Sequence, residues 1–382
     1  MPHKVHRASG QRLRSTFRRL MQRIGCKELD RSKRSLYLLL FTLTLALAVI
    51  GYRATTSIND VGEDGIVLTG DTAEKSGFAM GTYYKLQLTG EHSRKAVAAC
   101  IAELERLDAL LDRFDPRSEV SKLNARAGQG WVEVSPDIIS ILETTLDVAI
   151  KSRGAYDPSI AALVDLWGFR EQRGKIPDHA PPSPQQIQQV LRENVGYQKV
   201  QMDAVNNRVS LAAGIVLDFG SAAKGYALDR LTALAKSFEV EHGLIDLGGN
   251  IGVIGVRQDG KPWNIAVRHP RELGEVFGVI PVKDQYLATS GDYQRYFTWD
   301  GRRYPHIIDP HTGYPTTDYA SVTIVAPTGI LSDVLSTALF VLGPERGADL
   351  LTHYPGVEAL YIDQNMQVTI TPGLKDVVQL VQ

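Results

Sequence analysis

The most distinctive pattern along the chain is a run without charge from Ser35 to Tyr52, almost wholly apolar in LYLLLFTLTLALAVIGY. Eighteen helical residues rise about 27 Å, enough to cross most of a bilayer core. Residues 53–75 are polar and rich in Gly, Asp and Thr, and read as a linker. Beyond it, residues 78–88 alternate as a strand. Val97, Cys100, Ile101, Leu104, Leu107, Leu111 and Phe114 recur at helical spacing, which predicts an amphipathic helix over 93–114 with Ser93 as its N-cap. Cys100 lies on the apolar stripe, so its thiol is expected to be buried and inert. A second helix is expected over 136–153, opened by Ser135-Pro136-Asp137. A Pro-rich loop spans 172–184, and a short helix follows over 185–195. Residues 200–202 and 208–211 flank Val205-Asn206-Asn207 as a hairpin. Residues 215–218 read as a strand end, followed by a turn at Phe219-Gly220 and a helix over 221–238. Short strands are expected at 244–247, 251–256, 263–267, 276–281, 286–289 and 293–298. Consecutive strands between helices predict an α+β body rather than strict βαβ alternation.

Charge turns the apolar run into a topology. The 382 residues carry a net charge of only −1 and are 43% hydrophobic, a globular composition. Residues 1–34 hold eleven Lys and Arg against Glu28 and Asp30, a local +9, whereas residues 54–382 are net −11. The basic side stays cytoplasmic, which sends the acidic body across the membrane. The expected organisation is a basic arm (1–34), a transmembrane signal anchor (35–52), a linker (53–75) and a catalytic body (76–382). The competing reading is a cleavable signal peptide. Against it stand the long basic region and the lack of a small-x-small site after the run. The basic arm is read as topogenic, beside anionic lipid, with no nucleic acid as partner. Two cysteines, Cys26 and Cys100, exclude a disulfide scaffold and a Cys-rich zinc site.

Five clusters can carry chemistry. Asp218-Phe219-Gly220-Ser221-Ala222-Ala223-Lys224-Gly225 leads a turn into a helix start, where backbone N–H groups and the helix dipole favour phosphate; an ordinary tightly packed helix start is the alternative. Asp333, Ser336 and Thr337 share one helix face, and a carboxylate with hydroxyls suits Mg²⁺; helix capping by Ser332 or Asp333 is the alternative. His306 to Pro315 places two histidines and Asp309 at a Pro/Gly turn. A general base, an Asp-stabilised turn and a weak zinc site all remain open there. Residues 288–296 form a Ser-Gly-Asp turn between strands, and residues 154–169 combine aromatics with Asp157.

Together and in this order, these segments resemble the ApbE family of FAD:protein FMN transferases. The matching pieces are Ala79-Met80-Gly81-Thr82, GAYDPSIAALVDLWGF, DFGSAAKGYALDR, LIDLGGNI, ATSGDYQRYF, HIIDPHTGYP and SDVLSTALFVLG. The resemblance implies an α+β fold, an ApbE-like body of mixed β-sheets with flanking helices, here preceded by one N-terminal transmembrane helix. It implies Mg²⁺-dependent transfer of FMN from FAD to a threonine hydroxyl of an exported target protein, with release of AMP. Implied targets are subunits of membrane redox complexes, such as sodium-pumping NADH:quinone reductase and RNF-type complexes. The alternatives are an FAD pyrophosphatase giving FMN and AMP, or a non-catalytic flavin-binding assembly subunit. By position, Met80, Ala155, Tyr156, Asp157, Asp218, Lys224 and Ile308 resemble flavin-nucleotide contacts. Asp333 and Thr337 resemble Mg²⁺ ligands with Ser336 close by, and Ser221 resembles a further ligand through its main chain. His306 is the candidate base, with Asp309 or a neighbour orienting it. The expected location is the inner membrane, with the body on the periplasmic side.

Overall fold

The computed structural model describes residues 60–169 and 179–381. The basic arm (1–34) and the expected membrane span (35–52) lie outside the described residues. Among the described residues no helix is long and apolar enough to cross a membrane.

The compact unit begins at Asp60, so part of the expected linker belongs to the body. Strands β1 (Asp60–Val61), β2 (Val67–Thr69), β3 (Thr72–Ala79) and β4 (Thr82–Thr89) form an antiparallel meander. The polar composition of 60–75 concealed strands that are short and joined by tight turns. The single strand expected over 78–88 is instead two strands folded back at Met80-Gly81. Both turn residues have positive φ, 51° and 69°, as a two-residue hairpin matched to strand twist requires. Methionine is not a turn-forming residue, so only Gly81 hinted at the reversal.

Helix α1 (Ser93–Leu111) buries Val97, Cys100, Leu104, Leu107 and Leu111 as the spacing predicts. His92, not Ser93, occupies its N-cap, and Ser93 is the first helical residue. After α2 (Glu119–Ala125) and β5 (Trp131–Glu133) come α3 (Pro136–Lys151), α4 (Ala161–Leu166) and α5 (Pro184–Asn194). The last is opened by a capping box between Ser183 and Gln186. Strands β6 (Val200–Asp203) and β7 (Arg208–Leu211) form the expected hairpin and, with β5, a three-stranded sheet. The strand expected at 215–218 is absent, leaving a single bridge between Val216 and Ile160. The Asn124 side chain takes the place of a neighbouring strand: Leu217 N–H donates to its Oδ1 (2.8 Å), and its Nδ2 donates to the Leu217 carbonyl (3.0 Å).

Helix α6 (Ala223–Ser237) then leads to β8 (His242–Leu247) and β9 (Asn250–Ile254), followed by β10 (Trp263–Arg268), β11 (Val276–Val282) and β12 (Tyr286–Gly291). Hairpin β13 (Tyr296–Trp299) and β14 (Arg302–Pro305) precedes β15 (Tyr319–Ala326). The chain continues with α7 (Gly329–Leu351), β16 (Glu358–Asp363), β17 (Val368–Ile370), α8 (Pro372–Lys375) and β18 (Gln379–Leu380).

Ten strands form the main sheet in the order β1-β2-β3-β4-β8-β9-β12-β15-β16-β17. Helices α1, α6 and α7 pack on one face, and β10, β11 and β18 form a small sheet whose apolar side chains join the opposite face. Strand β15 is therefore apolar on both sides. Val322, Ile324 and Ala326 join the helix-side core, and Val325 joins the core beneath the small sheet. A β-bulge between Tyr319 and Ser321 shifts the alternation, so Ala320 falls with Val325. A third cluster around Trp167, Phe169 and Phe297 ties α4 and α5 to the β13–β14 hairpin, with Trp167 Nε1 donating to the Gly313 carbonyl at 2.7 Å.

Candidate active site

Helices α6 and α7 approach as closely as two backbones allow. A Cβ added to Gly225 would lie 2.3 Å from the Gly329 carbonyl oxygen and 2.7 Å from Asp333 Cβ. A Cβ on Gly329 would meet the Gly225 carbonyl at 2.4 Å. Only glycine at both positions permits this crossing. It brings the Gly225 N–H to Asp333 Oδ2 at 2.9 Å and Lys224 Nζ to the same oxygen at 3.9 Å. Asp333 is buried, so its charge stands in a poorly solvated setting where these partners count. Neither Ser332 nor Asp333 caps α7. Thr328 does, through the Leu331 N–H, and Asp229 of α6 accepts the Gly329 and Ile330 N–H groups at 2.6 and 2.9 Å. Burial pushes the Asp229 carboxyl up to about 6 despite these two donors.

One turn beyond Asp333, Ser336 Oγ donates to the Asp333 carbonyl (2.7 Å) and lies 2.8 Å from Ser290 Oγ at the end of β12. Thr337 Oγ1 is 3.5 Å from the same Ser290 hydroxyl. Asp333, Ser336 and Thr337 thus gather as their spacing predicts, and Ser290 joins them. Ser290 and Asp229 were not anticipated as site residues. Both lie within motifs that stood out, ATSGDYQRYF and DFGSAAKGYALDR, but nothing local marks Asp229 as the partner of a distant helix start.

On the α6 side, Asp218 shapes the approach loop. Its Oδ1 accepts the Gly220 N–H (2.8 Å), its Oδ2 pairs with Arg113 (2.7 Å), and its N–H donates to the Pro158 carbonyl (2.9 Å). Lys224 Nζ donates to the Gly220 carbonyl at 3.2 Å, and Ser221 Oγ donates to the buried Tyr156 hydroxyl at 3.1 Å. Burial raises the Tyr156 hydroxyl well above its ordinary range, and Asp333, Asp218 and Asp157 push the same way. Ala155 and Tyr156 are buried beside this loop. The Asp157 carboxylate is committed to its own turn, accepting from Ser159 N–H, Ser159 Oγ and Tyr197 N–H within 2.8 Å. Met80 forms the tip of the β3–β4 turn, and Ile308 is buried in the cluster around Trp167.

His306 is half-buried. Its Nδ1 lies 3.2 Å from the Arg295 carbonyl, which can only accept, so Nδ1 carries the proton and Nε2 keeps its lone pair. Burial, with Arg295 and Lys224 as neighbouring positive charges, lowers its pKa to about 4. The imidazole is neutral at physiological pH. Asp309 does not orient it. Asp309 Oδ1 instead lies 2.9 Å from the His311 N–H and 3.1 Å from His311 Nδ1. The histidines and Asp309 form no zinc site, since no group of three His, Cys, Asp or Glu side chains among the described residues converges to hold a metal.

The remaining donor set consists of hard oxygens: one buried carboxylate with two hydroxyls on the next turn. This set fits Mg²⁺, which takes one or two carboxylates and completes its shell with water and phosphate. A buried carboxylate, hydroxyls, an ammonium and a helix start are groups that suit the binding of phosphate oxygens. The model of the ApbE family matches residues 80–361, and the chain belongs to that family. It is 34% identical over 321 residues to an FAD:protein FMN transferase of Treponema pallidum, covering 79% of this chain and 87% of the relative. It is 32% identical over 287 residues to one of Haemophilus influenzae, covering 72% and 82%. The crystal structure of the ApbE protein of Thermotoga maritima superposes with a TM-score of 0.74 at 34% identity, over 80% of this chain and 99% of that one. The apo flavinyl transferase ApbE of Pseudomonas stutzeri superposes with a TM-score of 0.70 at 30% identity, over 80% and 96%.

Proposed function

We propose that this chain transfers FMN from FAD to a threonine hydroxyl of a target protein and releases AMP, with Mg²⁺ as the required ion. The observation that carries the reading is the gathering of Asp333, Ser336, Thr337 and Lys224 where α6 crosses α7, in a member of a family whose relatives bear that activity in their names.

Asp333 and Thr337 would hold the ion, with Ser336 beside them and the main chain near Ser221 completing the protein's share. When bound, Mg²⁺ neutralises pyrophosphate charge and polarises the attacked phosphorus. Lys224 adds a point charge, and the N–H groups at the start of α6 favour the phosphate oxygens. His306 Nε2 accepts the proton of the threonine hydroxyl. The threonine oxygen bonds to the phosphorus on the flavin side, the bond from that phosphorus to the bridging oxygen breaks, and AMP leaves with that oxygen. Anionic pyrophosphate beside the imidazole raises its proton affinity above the free-enzyme value, when a proton must be held. Positioning and charge neutralisation supply most of the rate.

The basic arm and apolar run support a single-pass anchor in the inner membrane, with the body on the periplasmic side. Exported subunits of sodium-pumping NADH:quinone reductase or RNF-type complexes are then candidate acceptors. The test incubates the chain with FAD, Mg²⁺ and such an acceptor domain. A fluorescent covalent flavin band is expected, and EDTA should abolish it. Failure with every candidate acceptor refutes the transferase reading, and stoichiometric AMP and free FMN without acceptor would assign FAD hydrolysis instead.

A further inference from the structure

Asn250, the first residue of β9, is only 5% exposed, and its Nδ2 finds no hydrogen-bond partner among the described residues. Buried polar groups in native proteins almost always have a partner, so an amide left this way needs a reason. The β8–β9 turn does not supply one. Gly248 and Gly249 provide its positive φ values, 66° and 101°, and Asp246 Oδ1 accepts the Gly249 N–H at 2.7 Å. Gly248 has no room for a Cβ against Thr82 Oγ1, so this turn lies against the one that carries Met80. Asn250 itself is ordinary strand, paired with Leu247, and its side chain serves neither turn.

The sheet register sets this amide in the candidate site. Leu247, directly opposite, joins the helix-side core, so Asn250 stands on the face that α6 and α7 cover. In the neighbouring strand Tyr286 pairs with Gly252 and Leu287 with Ile251, and one further step sets Asn250 beside Ala288. Ser290 lies two residues on, on the same face, about 8 Å away between Cα atoms. The helix layer gives the other boundary. Helix α6 reverses into β8, and β8 into β9, so α6 and β9 run in the same sense. Leu228 fills the space above Gly252. Lys224 precedes Leu228 by about 6 Å of helix, and Asn250 precedes Gly252 by roughly 7 Å of strand. Asn250 therefore lies beneath the start of α6, between Lys224 and Ser290.

Building on the proposed transfer from FAD, we infer that the Asn250 amide donates a hydrogen bond to a phosphate oxygen of the bound dinucleotide. The pyrophosphate is the part of FAD that must lie between Lys224 and the donor set of Asp333 and Thr337, and its charged oxygens are strong acceptors. A neutral amide orients such an oxygen without competing with a cation for it. The substrate supplies the acceptor that the free protein lacks at this position. An ordered water could satisfy the amide in the free protein as well. The two accounts differ in what removing the amide does to substrate binding.

The test replaces Asn250 in the full chain by leucine, close in shape but without polar atoms, and by aspartate, which only accepts. Affinities for FAD and for ADP are measured by calorimetry with Mg²⁺ present, and the ligand-free proteins are melted. Asn250→Leu should weaken both ligands by about ten- to hundredfold, while its ligand-free Tm stays level or rises, because no bonded partner is lost. Asn250→Asp should weaken FAD at least as much, by repulsion. Asn250→Ala keeps the affinity measurement valid if leucine does not fit. FAD affinity within twofold of wild type in the leucine and alanine variants overturns the inference. A loss for FAD that ADP does not share overturns it too and gives the amide to the flavin ring. A loss that merely tracks a lowered ligand-free Tm across the three variants overturns it as well and leaves Asn250 structural. The expected losses in a protein that transfers FMN to no acceptor would instead break the transferase reading and leave the phosphate contact standing.

Discussion

Substituting Gly225 by alanine tests the helix crossing on which the site rests. The new methyl group would sit 2.3 Å from the Gly329 carbonyl oxygen, a backbone atom that no rotamer change can move aside. Alanine favours a helix interior over glycine by about 1 kcal/mol, and that gain opposes the clash. Overpacking costs about 1–3 kcal/mol, and loss of the Gly225 N–H bond to a charged carboxylate about 1.5–3 kcal/mol more. The balance is a destabilisation of about 2–4 kcal/mol, lowering Tm by roughly 3–6 °C in a chain of this size. Relieving the contact separates the helices by about 1 Å and moves Asp333 away from Lys224, so FMN transfer should fall about a hundredfold at a temperature where the variant remains folded. Thermal unfolding followed by circular dichroism, with an FMN-transfer assay on the same preparation, measures both. An unchanged Tm together with transfer within twofold of wild type would refute the reasoning.

Asp333→Ala should abolish Mg²⁺-dependent transfer, a loss of about 10²–10³-fold or more, and should also destabilise by about 1–3 kcal/mol because the Gly225 amide loses its buried partner. Asp333→Asn keeps the shape and should lose activity with less stability, which a Mg²⁺ titration beside a melting curve separates. His306→Gln should lower kcat with little change in FAD affinity. In the wild type, kcat/KM should rise with pH through about 4 as the free imidazole deprotonates, and a pH–rate profile without that limb would exclude His306 as base. Asp229 gives the opposite sign in stability. Its folded pKa, near 6, lies above the unfolded value, so its stabilising contribution is complete below about 4 and is lost as pH rises through 6. Asp229→Asn should flatten that part of the stability–pH curve, as chemical denaturation across the range would reveal.

Features resting on local spacing were legible in the sequence. The apolar stripe carrying Cys100, the helix opened by Pro136 and the shared face of Asp333, Ser336 and Thr337 all depend on helical periodicity alone. What escaped depends on distant partners. Residues 215–218 look like a strand, yet the Asn124 side chain takes both backbone hydrogen bonds of Leu217. The Met80-Gly81 reversal divides one alternating run into two strands because sheet twist demands positive φ there, which alternation does not encode. Asp309 beside two histidines reads equally well as an orienting carboxylate and as a turn residue, and only the fold hands His306 to the Arg295 carbonyl. The glycine pair at 225 and 329 is two unrelated residues until the helices cross.

The main sheet also dictates when the protein can finish folding. Strand β4 ends at Thr89, and its partner β8 begins at His242, with most of the helical layer encoded between them. Until β8 is added, the β1–β4 meander presents β4 as an open edge, with Phe78 and Tyr83 still exposed at its hairpin even in the finished fold. Long-range antiparallel pairing of this kind is slow, and an unpaired edge recruits other chains while it waits. The interval between release of β4 and arrival of β8 is therefore when this protein is most open to aggregation, and a chaperone that shields one strand edge during that interval would protect its yield.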